Sequence, residues 1–201
     1  NCCYDEFELA SFNMTKEGLF GDIIHAEASY IHDLRERISS NDMGHRRWKN
    51  WQVEYMATHI ANFYPTHGLG PVALTLGLHR GDRMKSLVSM SSQGIGEAEV
   101  FRGTMNTSVI TTEMGRTIML QHCIALPRPY SRSFLLSGTK GYIQKYPVPY
   151  AAFAPNCREV IAGEECVALT EKYCYWMETG HLEGGEEVSI RELMNYLLIV
   201  S

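Results

Sequence analysis

The clearest pattern of apolar and polar positions lies in residues 22–33, where the two types alternate as they do in a half-buried strand. One face of this predicted strand carries Ile24, Ala26, Ala28, Tyr30 and His32, and the other carries His25, Glu27, Ser29 and Asp33. The first face is apolar until its last two positions, where a phenol and an imidazole appear. We therefore expect the carboxyl end of this strand to deliver side chains to a functional site.

Helical spacing predicts elements on both sides of this strand. Asp5 is expected to cap the first helix, with Glu8 three residues later as its capping-box partner. Thr66 is expected to cap a second helix that covers residues 66–78. Shorter helical segments are expected near residues 163–173 and 190–200.

Most of the remaining chain is predicted to form antiparallel sheet. The predicted strands cover residues 84–92, 105–112, 117–126, 133–136 and 142–145, and the last four form two hairpins. Two stretches are expected to be irregular, namely the long connection 34–63 and the proline-containing segment 147–170. These elements together predict an α+β fold with an open, mostly antiparallel sheet and helices on one face.

Composition narrows the class of protein. The chain has 201 residues, 45% of them apolar, which is enough for one large core without cross-links. Its net charge of −5 argues against a protein that binds the phosphate backbone of a nucleic acid. No apolar run is long enough to predict a membrane span. The amino end has neither an initiator Met nor a basic segment, so we expect the chain to begin within a longer gene and see no targeting peptide.

The six cysteines show no CxxC spacing, and their low density does not indicate a disulfide scaffold. We interpret them as scattered free thiols and predict no metal site. Other catalytic patterns are also missing from the sequence. It contains no HExxH, no GxSxG and no strand–glycine–helix unit for a dinucleotide, and its carboxylates do not pair with an aromatic cluster.

The densest group of chemically active residues joins two segments. Tyr30 and His32 end the predicted strand, whereas Tyr64 and His67 flank the start of the second helix. Tyrosine and histidine transfer protons, and the first amides of a helix attract oxygen atoms. Glycines after His67 would let another molecule approach the backbone closely. Spacing alone leaves open the alternative that residues 64–68 are only a capped loop.

Several motifs resemble glycoside hydrolase family 109, a group of NAD-dependent α-N-acetylgalactosaminidases within the Gfo/Idh/MocA oxidoreductase superfamily. The resemblance is carried by the segments Tyr30-Ile31-His32-Asp33-Leu34-Arg35, Tyr64-Pro65-Thr66-His67-Gly68-Leu69-Gly70-Pro71 and His79-Arg80-Gly81-Asp82-Arg83. It extends to Asn1-Cys2-Cys3-Tyr4, Arg128-Pro129-Tyr130-Ser131 and Leu136-Ser137-Gly138-Thr139-Lys140-Gly141.

This resemblance implies a domain organisation. Residues 1–173 are similar to the C-terminal substrate and oligomerisation domain, residues 174–201 form a divergent tail, and the Rossmann domain is absent. In the family the open sheet supports subunit association, so we expect a homo-oligomer. The resemblance places the protein in a bacterium and is equally compatible with the cytoplasm and the periplasm.

The resemblance also implies a mechanism of redox-assisted elimination on an N-acetylgalactosamine-containing glycoside. NAD⁺ oxidises the C3 hydroxyl, a base removes the acidified C2 proton, the glycosidic oxygen leaves, water adds and the hydride returns. It implies these roles: Tyr30 and His67 catalytic; Tyr30, Gln52, Tyr64 and His67 substrate-binding; Asn1, Tyr64, Pro65, Thr66 and His67 cofactor-binding; no metal ligand.

The sequence departs from the family pattern at one expected substrate residue. The family has Trp-Arg before the Tyr-Pro-Thr-His block, whereas Trp51 is followed here by Gln52, which can hydrogen-bond but carries no charge. Two alternative functions stay open. One is a sugar or polyol dehydrogenase of the same superfamily, and the other is a non-catalytic sugar-binding or assembly module.

Overall fold

The computed structural model describes residues 2–35, 55–94 and 103–175. Its helices are α1 (Glu6–Lys16), α2 (Thr66–Leu76) and α3 (Gly163–Tyr173), preceded by a 3₁₀ turn over Cys2–Tyr4. Its strands are β1 (Ile23–Ile31), β2 (Met84–Gln93), β3 (Gly103–Thr112), β4 (Thr117–Cys123), β5 (Phe134–Gly138), β6 (Gly141–Gln144), β7 (Tyr150–Phe153) and β8 (Val160–Ala162). None of the helices in these ranges is long and apolar enough to cross a membrane.

The strands form one eight-stranded sheet in the order β2-β3-β4-β1-β5-β6-β7-β8. Strands β1 and β4 are parallel, and the other neighbouring pairs are antiparallel. The predicted class, an open and mostly antiparallel α+β sheet, is confirmed. The parallel pair matters for function because it brings the carboxyl ends of two central strands to the same edge of the sheet.

The helices cover one face of the sheet, as expected. Their apolar residues join those of the central strands in one core, which includes Phe7, Met14, Ala26, Ala28, Leu69, Val72, Ile118, Leu120, Phe134 and Leu136. Beyond this core the edge strand β2 is open to solvent, with Leu87, Val88 and Met90 each more than half exposed. Burial of apolar surface therefore stabilises the helix-covered face and leaves the β2 end of the sheet uncovered.

Gly68 lets helix α2 approach β1 closely. A Cβ atom at this position would lie 2.7 Å from Leu120 Cδ1 and 3.1 Å from the Ser29 backbone nitrogen. The close approach that the sequence predicted at this glycine is therefore made by the protein's own strand rather than by another molecule. This contact sets the distance between the first turn of α2 and the end of β1.

Two predictions of helix capping were wrong. Helix α1 does begin after Asp5, but no side chain caps it, because Asp5 and Glu8 both bind the Lys145 ammonium instead. Thr66 does not cap α2 either: it is the first helical residue, and Pro65 holds the cap position without a side-chain hydrogen bond. Helix α2 also ends earlier than predicted, at Leu76, since Gly77 adopts a left-handed conformation with a φ of 64°.

The strand predictions also needed corrections. Ile24 was assigned to the core face of β1 but is 53% exposed, because a register shift between Ile23 and His25 turns it outwards and buries Ile23 instead. The segment 147–170 was expected to be irregular, yet it contains β7 and β8. Most of the connection 34–63 and the helix expected at 190–200 lie outside the described residues.

Candidate functional site

Four parts of the fold meet at the carboxyl end of β1. Parallel pairing places Tyr30 opposite His122 of β4. On the other side of β1, a bridge between Ile31 and Ser131 brings the segment before β5, with Arg132, to the same edge. The first turn of α2 supplies His67, and the 3₁₀ turn supplies Cys2. Carboxyl ends of parallel strands are common ligand-binding positions because the chain turns away there and leaves room.

The rings at this edge form a continuous cluster. Tyr30 stacks on His67 with ring centroids 4.7 Å apart, and Tyr64 lies 4.6 Å from His67 and 5.7 Å from Tyr30. His122 adjoins Tyr30 at 6.0 Å and meets the edge of Phe63 at 4.9 Å. Such ring contacts fix side-chain orientation without using the polar atoms. The contacts therefore hold the rings of Tyr30, Tyr64, His67 and His122 in fixed positions relative to one another.

The Arg132 guanidinium and the Cys2 thiol adjoin the stacked rings of Tyr30 and His67. The Arg132 guanidinium donates a hydrogen bond of 2.8 Å from Nη1 to Cys2 Sγ and lies 5.8 Å above the Tyr30 ring. Cys2 Sγ in turn lies 3.0 Å from His67 Nδ1. The chain thus places one buried sulfur between an imidazole and a guanidinium, so the cluster mixes neutral proton-transfer groups with a fixed positive charge.

The environment keeps both histidines of the cluster neutral. Burial, with a smaller contribution from the Arg132 charge, lowers the pKa of His67 to about 4. Burial, followed by the neighbouring His67, lowers the pKa of His122 to about 4 as well. Burial raises the pKa of the Cys2 thiol, although Arg132 opposes this shift. Near neutral pH the two imidazoles therefore lack a charge and the thiol keeps its proton.

Two buried nitrogen atoms of the cluster have no hydrogen-bond partner among the residues that the structure describes, His122 Nε2 and Arg132 Nε. A buried polar atom left in this way costs about 1–3 kcal/mol unless another group satisfies it. A small open depression adjoins His122 and is lined by Tyr55, Met56, His59, Ala61, Phe63, Gly103, Thr104, Ile124 and Ala125. Unpaired buried nitrogen atoms among the described residues make this edge of the sheet the candidate site.

The structure brings Tyr30, Tyr64 and His67 together, and Pro65 and Thr66 lie between the last two at the start of α2. Their assigned roles stay predictions. His32 lies at the margin, where its ring meets the edge of Tyr130 at 5.0 Å. The other two assigned positions, Asn1 and Gln52, lie outside the described residues.

Sequence reasoning missed Cys2, His122 and Arg132. Cys2 was interpreted as one of several scattered thiols, and all six cysteines are indeed free, but this one contacts His67. His122 did leave a signal, since it continues the buried alternation of Ile118 and Leu120 along β4. Within residues 2–35, 55–94 and 103–175, no three His, Cys, Asp or Glu side chains group as metal ligands do.

Comparison with known proteins identifies the family of the chain. The family model described as "Glycosyl hydrolase 109, C-terminal domain" matches residues 4–151. "Glycosyl hydrolase family 109 protein 2" of Phocaeicola vulgatus is 40% identical, over 98% of this chain and 52% of its own length. "Alpha-N-acetylgalactosaminidase" of Bacteroides fragilis is 42% identical, over 86% of this chain and 44% of its own length. The chain spans about half the length of these curated relatives.

Solved structures similar to the chain have the fold of Gfo/Idh/MocA oxidoreductases. An inositol dehydrogenase homolog from Azotobacter vinelandii, complexed with NAD⁺, aligns at a TM-score of 0.60 with 10% identity, over 86% of this chain and 49% of that one. A levoglucosan dehydrogenase complexed with NADH aligns at 0.58 with 14% identity, over 97% and 53%. At these identities the likeness establishes the fold alone. The family match covers most of the chain, which therefore belongs to glycosyl hydrolase family 109 and carries that family's C-terminal domain.

Proposed function

We propose that this chain is the substrate-binding and proton-transferring half of an NAD-dependent enzyme that cleaves α-N-acetylgalactosaminides. The observation that carries the proposal is the stack of Tyr64, His67 and Tyr30 at the carboxyl end of β1. Support for the substrate comes from the Bacteroides fragilis relative, which is named for that activity.

The residues present fit a dinucleotide cofactor. Helix α2 begins without a side-chain cap, and the amides of Thr66 and His67 in its first turn cannot reach a helical carbonyl. Arg132 Nε adds a buried donor without a partner among the described residues. Such donors suit the oxygen atoms of a nucleotide. Tyr64, Pro65, Thr66 and His67 would hold the cofactor, together with Asn1.

A bound nicotinamide cofactor supplies one kind of chemistry, the removal of a hydride from the sugar and its later return. The chain's own residues are left to bind the sugar and to move protons. The Tyr30 hydroxyl and the neutral His67 ring are proton-transfer groups held within one stack. The nearby Arg132 charge favours an oxygen that becomes negative during the reaction. A pair of carboxylates at the glycosidic bond is not needed for such chemistry.

The proposal includes an organisation of the protein. Residues 1–173 act as one domain, residues 174–201 are a tail whose sequence diverges from the family, and a nucleotide-binding half completes the site. The exposed apolar side chains of β2 support the additional proposal that the sheet associates with a second copy of the chain. A light-scattering mass equal to one chain at high concentration would contradict this association.

Activity can be tested by joining the chain to the nucleotide-binding half of a family 109 relative. In deuterated water, an aryl α-N-acetylgalactosaminide should be cleaved without net NADH, and the released sugar should carry deuterium at C2 because a base removes that proton. Cleavage without deuterium at C2 would contradict elimination.

The dehydrogenases among the structural neighbours favour a second candidate function, oxidation of a sugar or polyol. The same assay distinguishes it, because NADH would then accumulate in proportion to the sugar consumed. Calorimetric binding of the sugar to the chain without NAD, and no turnover in any combination, would instead indicate a sugar-binding module.

A further inference from the structure

The contact between Cys2 and His67 bears on which ring nitrogen of His67 carries the proton. Cys2 is 1% exposed, and its sulfur has two polar neighbours in the site, Arg132 Nη1 at 2.8 Å and His67 Nδ1 at 3.0 Å. The guanidinium can only donate, so the sulfur accepts from that side. The single thiol proton is then free to point in the other direction, towards His67.

The protonation states agree with this direction. Burial raises the pKa of Cys2 and lowers that of His67 to about 4, so the thiol is protonated and the imidazole is neutral near pH 7. A neutral imidazole has one N–H and one acceptor nitrogen. If Nδ1 accepts from the thiol, the ring proton must be on Nε2. Among the described residues, Nε2 of His67 has no hydrogen-bond partner, so this N–H is available to a ligand.

We propose that Cys2 is a positioning residue that holds the His67 proton on Nε2, so that His67 meets a bound sugar oxygen as a hydrogen-bond donor. The role of His67 towards a sugar rests on the proposed function, whereas the contacts of Cys2 with His67 and Arg132 do not depend on it. Arg132 contributes because its guanidinium donates to the sulfur and cannot accept the thiol proton. Of the two neighbours of the sulfur, His67 Nδ1 is therefore the one that can accept that proton.

This arrangement separates the roles of the two stacked groups. With its proton on Nε2, His67 donates to a sugar oxygen as negative charge develops there, and it does not act as the first base. Removal of a proton from the sugar then falls to another group, and the Tyr30 hydroxyl is a candidate because its ring stacks on His67. The opposite tautomer would offer a lone pair from Nε2 and reverse this assignment.

The tautomer can be read from the two ring ¹⁵N shifts of His67 in the 201-residue chain, with the signals assigned by their loss in His67→Gln. We expect a protonated Nε2 and a hydrogen-bonded acceptor Nδ1. Cys2→Ala should move the Nδ1 shift because the thiol donor is lost. Cys2→Ser should restore it, since a hydroxyl also accepts from Arg132 and donates to Nδ1. Cys166→Ala, which removes a buried sulfur from α3, is the matched control and should leave His67 unchanged.

A proton on Nδ1 in the wild-type chain would overturn the proposal, and this spectrum decides it even if the alanine variant does not fold. An Nδ1 shift that is the same in Cys2→Ala as in wild type would also overturn it. With a nucleotide-binding half present, Cys2→Ala should lower kcat by about 10- to 100-fold with little change in KM, as loss of a ligand-orienting partner does. If the expected shifts appear but no variant cleaves glycosides, the tautomer assignment stands and the proposed function fails.

Discussion

Two buried polar clusters on the helix-covered side of the sheet differ in how completely their atoms are paired. In the first, the Lys145 ammonium binds Glu8 at 2.7 Å and Asp5 at 3.2 Å. In the second, the cluster of Cys2, His67, His122 and Arg132, two buried nitrogen atoms have no partner among the described residues. The first cluster is fully paired among the described residues, and the second leaves two nitrogen atoms there without a partner.

The difference separates structural from functional polarity. Lys145 ties α1 to the end of β6 across 137 residues of chain, and the side chain of its partner Glu8 is only 2% exposed. The site cluster holds its members in place by ring contacts and a thiol, which leave polar atoms unused. A fully paired buried charge avoids the large cost of a buried charge left alone, whereas unpaired buried donors do carry such a cost.

The largest expected effect is a loss of folding stability when Lys145 is removed from the first cluster. Lys145→Met leaves the buried Glu8 carboxylate unpaired, so the free energy of unfolding should fall by about 3–5 kcal/mol in urea titrations. Arg132→Met removes the cation of the second cluster but uncovers only a neutral thiol, and it should cost less than half as much. Lys85→Met, at an exposed position on β2, is the control and should cost less than about 0.5 kcal/mol. Equal losses for Lys145→Met and Arg132→Met would remove the distinction between the clusters.

The second effect is a dependence of stability on pH. His122 has a pKa of about 4 in the folded chain against 6.5 as its ordinary value, so between these values the unfolded chain binds a proton that the folded chain does not. Stability should therefore fall as pH falls through this window, by about 2 kcal/mol from about pH 7 to about pH 5 for one such group. His67 acts in the same direction. Urea titrations of His122→Gln should show a shallower decline, and an identical decline in both proteins would contradict the burial of a neutral His122.

A smaller effect is expected where α2 touches β1. Gly68→Ala places a Cβ against Leu120 and the Ser29 backbone, so α2 must move outwards at a cost of about 1–2 kcal/mol in thermal unfolding. The movement should also loosen the stack of His67 on Tyr30 and change the His67 ring shifts. The same substitution in a Leu120→Ala background should cost less, because the nearest contact is gone. Purely additive losses would show that Leu120 does not hold the helix at its distance.

The local sequence pattern was enough to predict the central strand β1 and the hairpins β3–β4 and β5–β6, because alternation and turn residues act over a few positions. It failed for β7 and β8, because the short run Tyr150–Phe153 lies between two prolines and β8 has only three residues before Gly163. It failed for the capping box, because Lys145 lies far away in the sequence and competes for Glu8. The candidate site was predicted from its motifs, whereas the contact of Cys2 with His67 depends on tertiary packing that spacing does not express.

The most direct test of the account is to measure stability and activity together for His67→Gln in the chain joined to a family 109 nucleotide-binding half. His67 is only partly buried and belongs to the incompletely paired cluster. We predict that hydrolysis of an aryl α-N-acetylgalactosaminide falls at least about 100-fold, as for loss of a general acid or base, while the free energy of unfolding changes by less than about 1.5 kcal/mol. Retained hydrolysis with reduced stability would show that His67 belongs to the structure and not to the site.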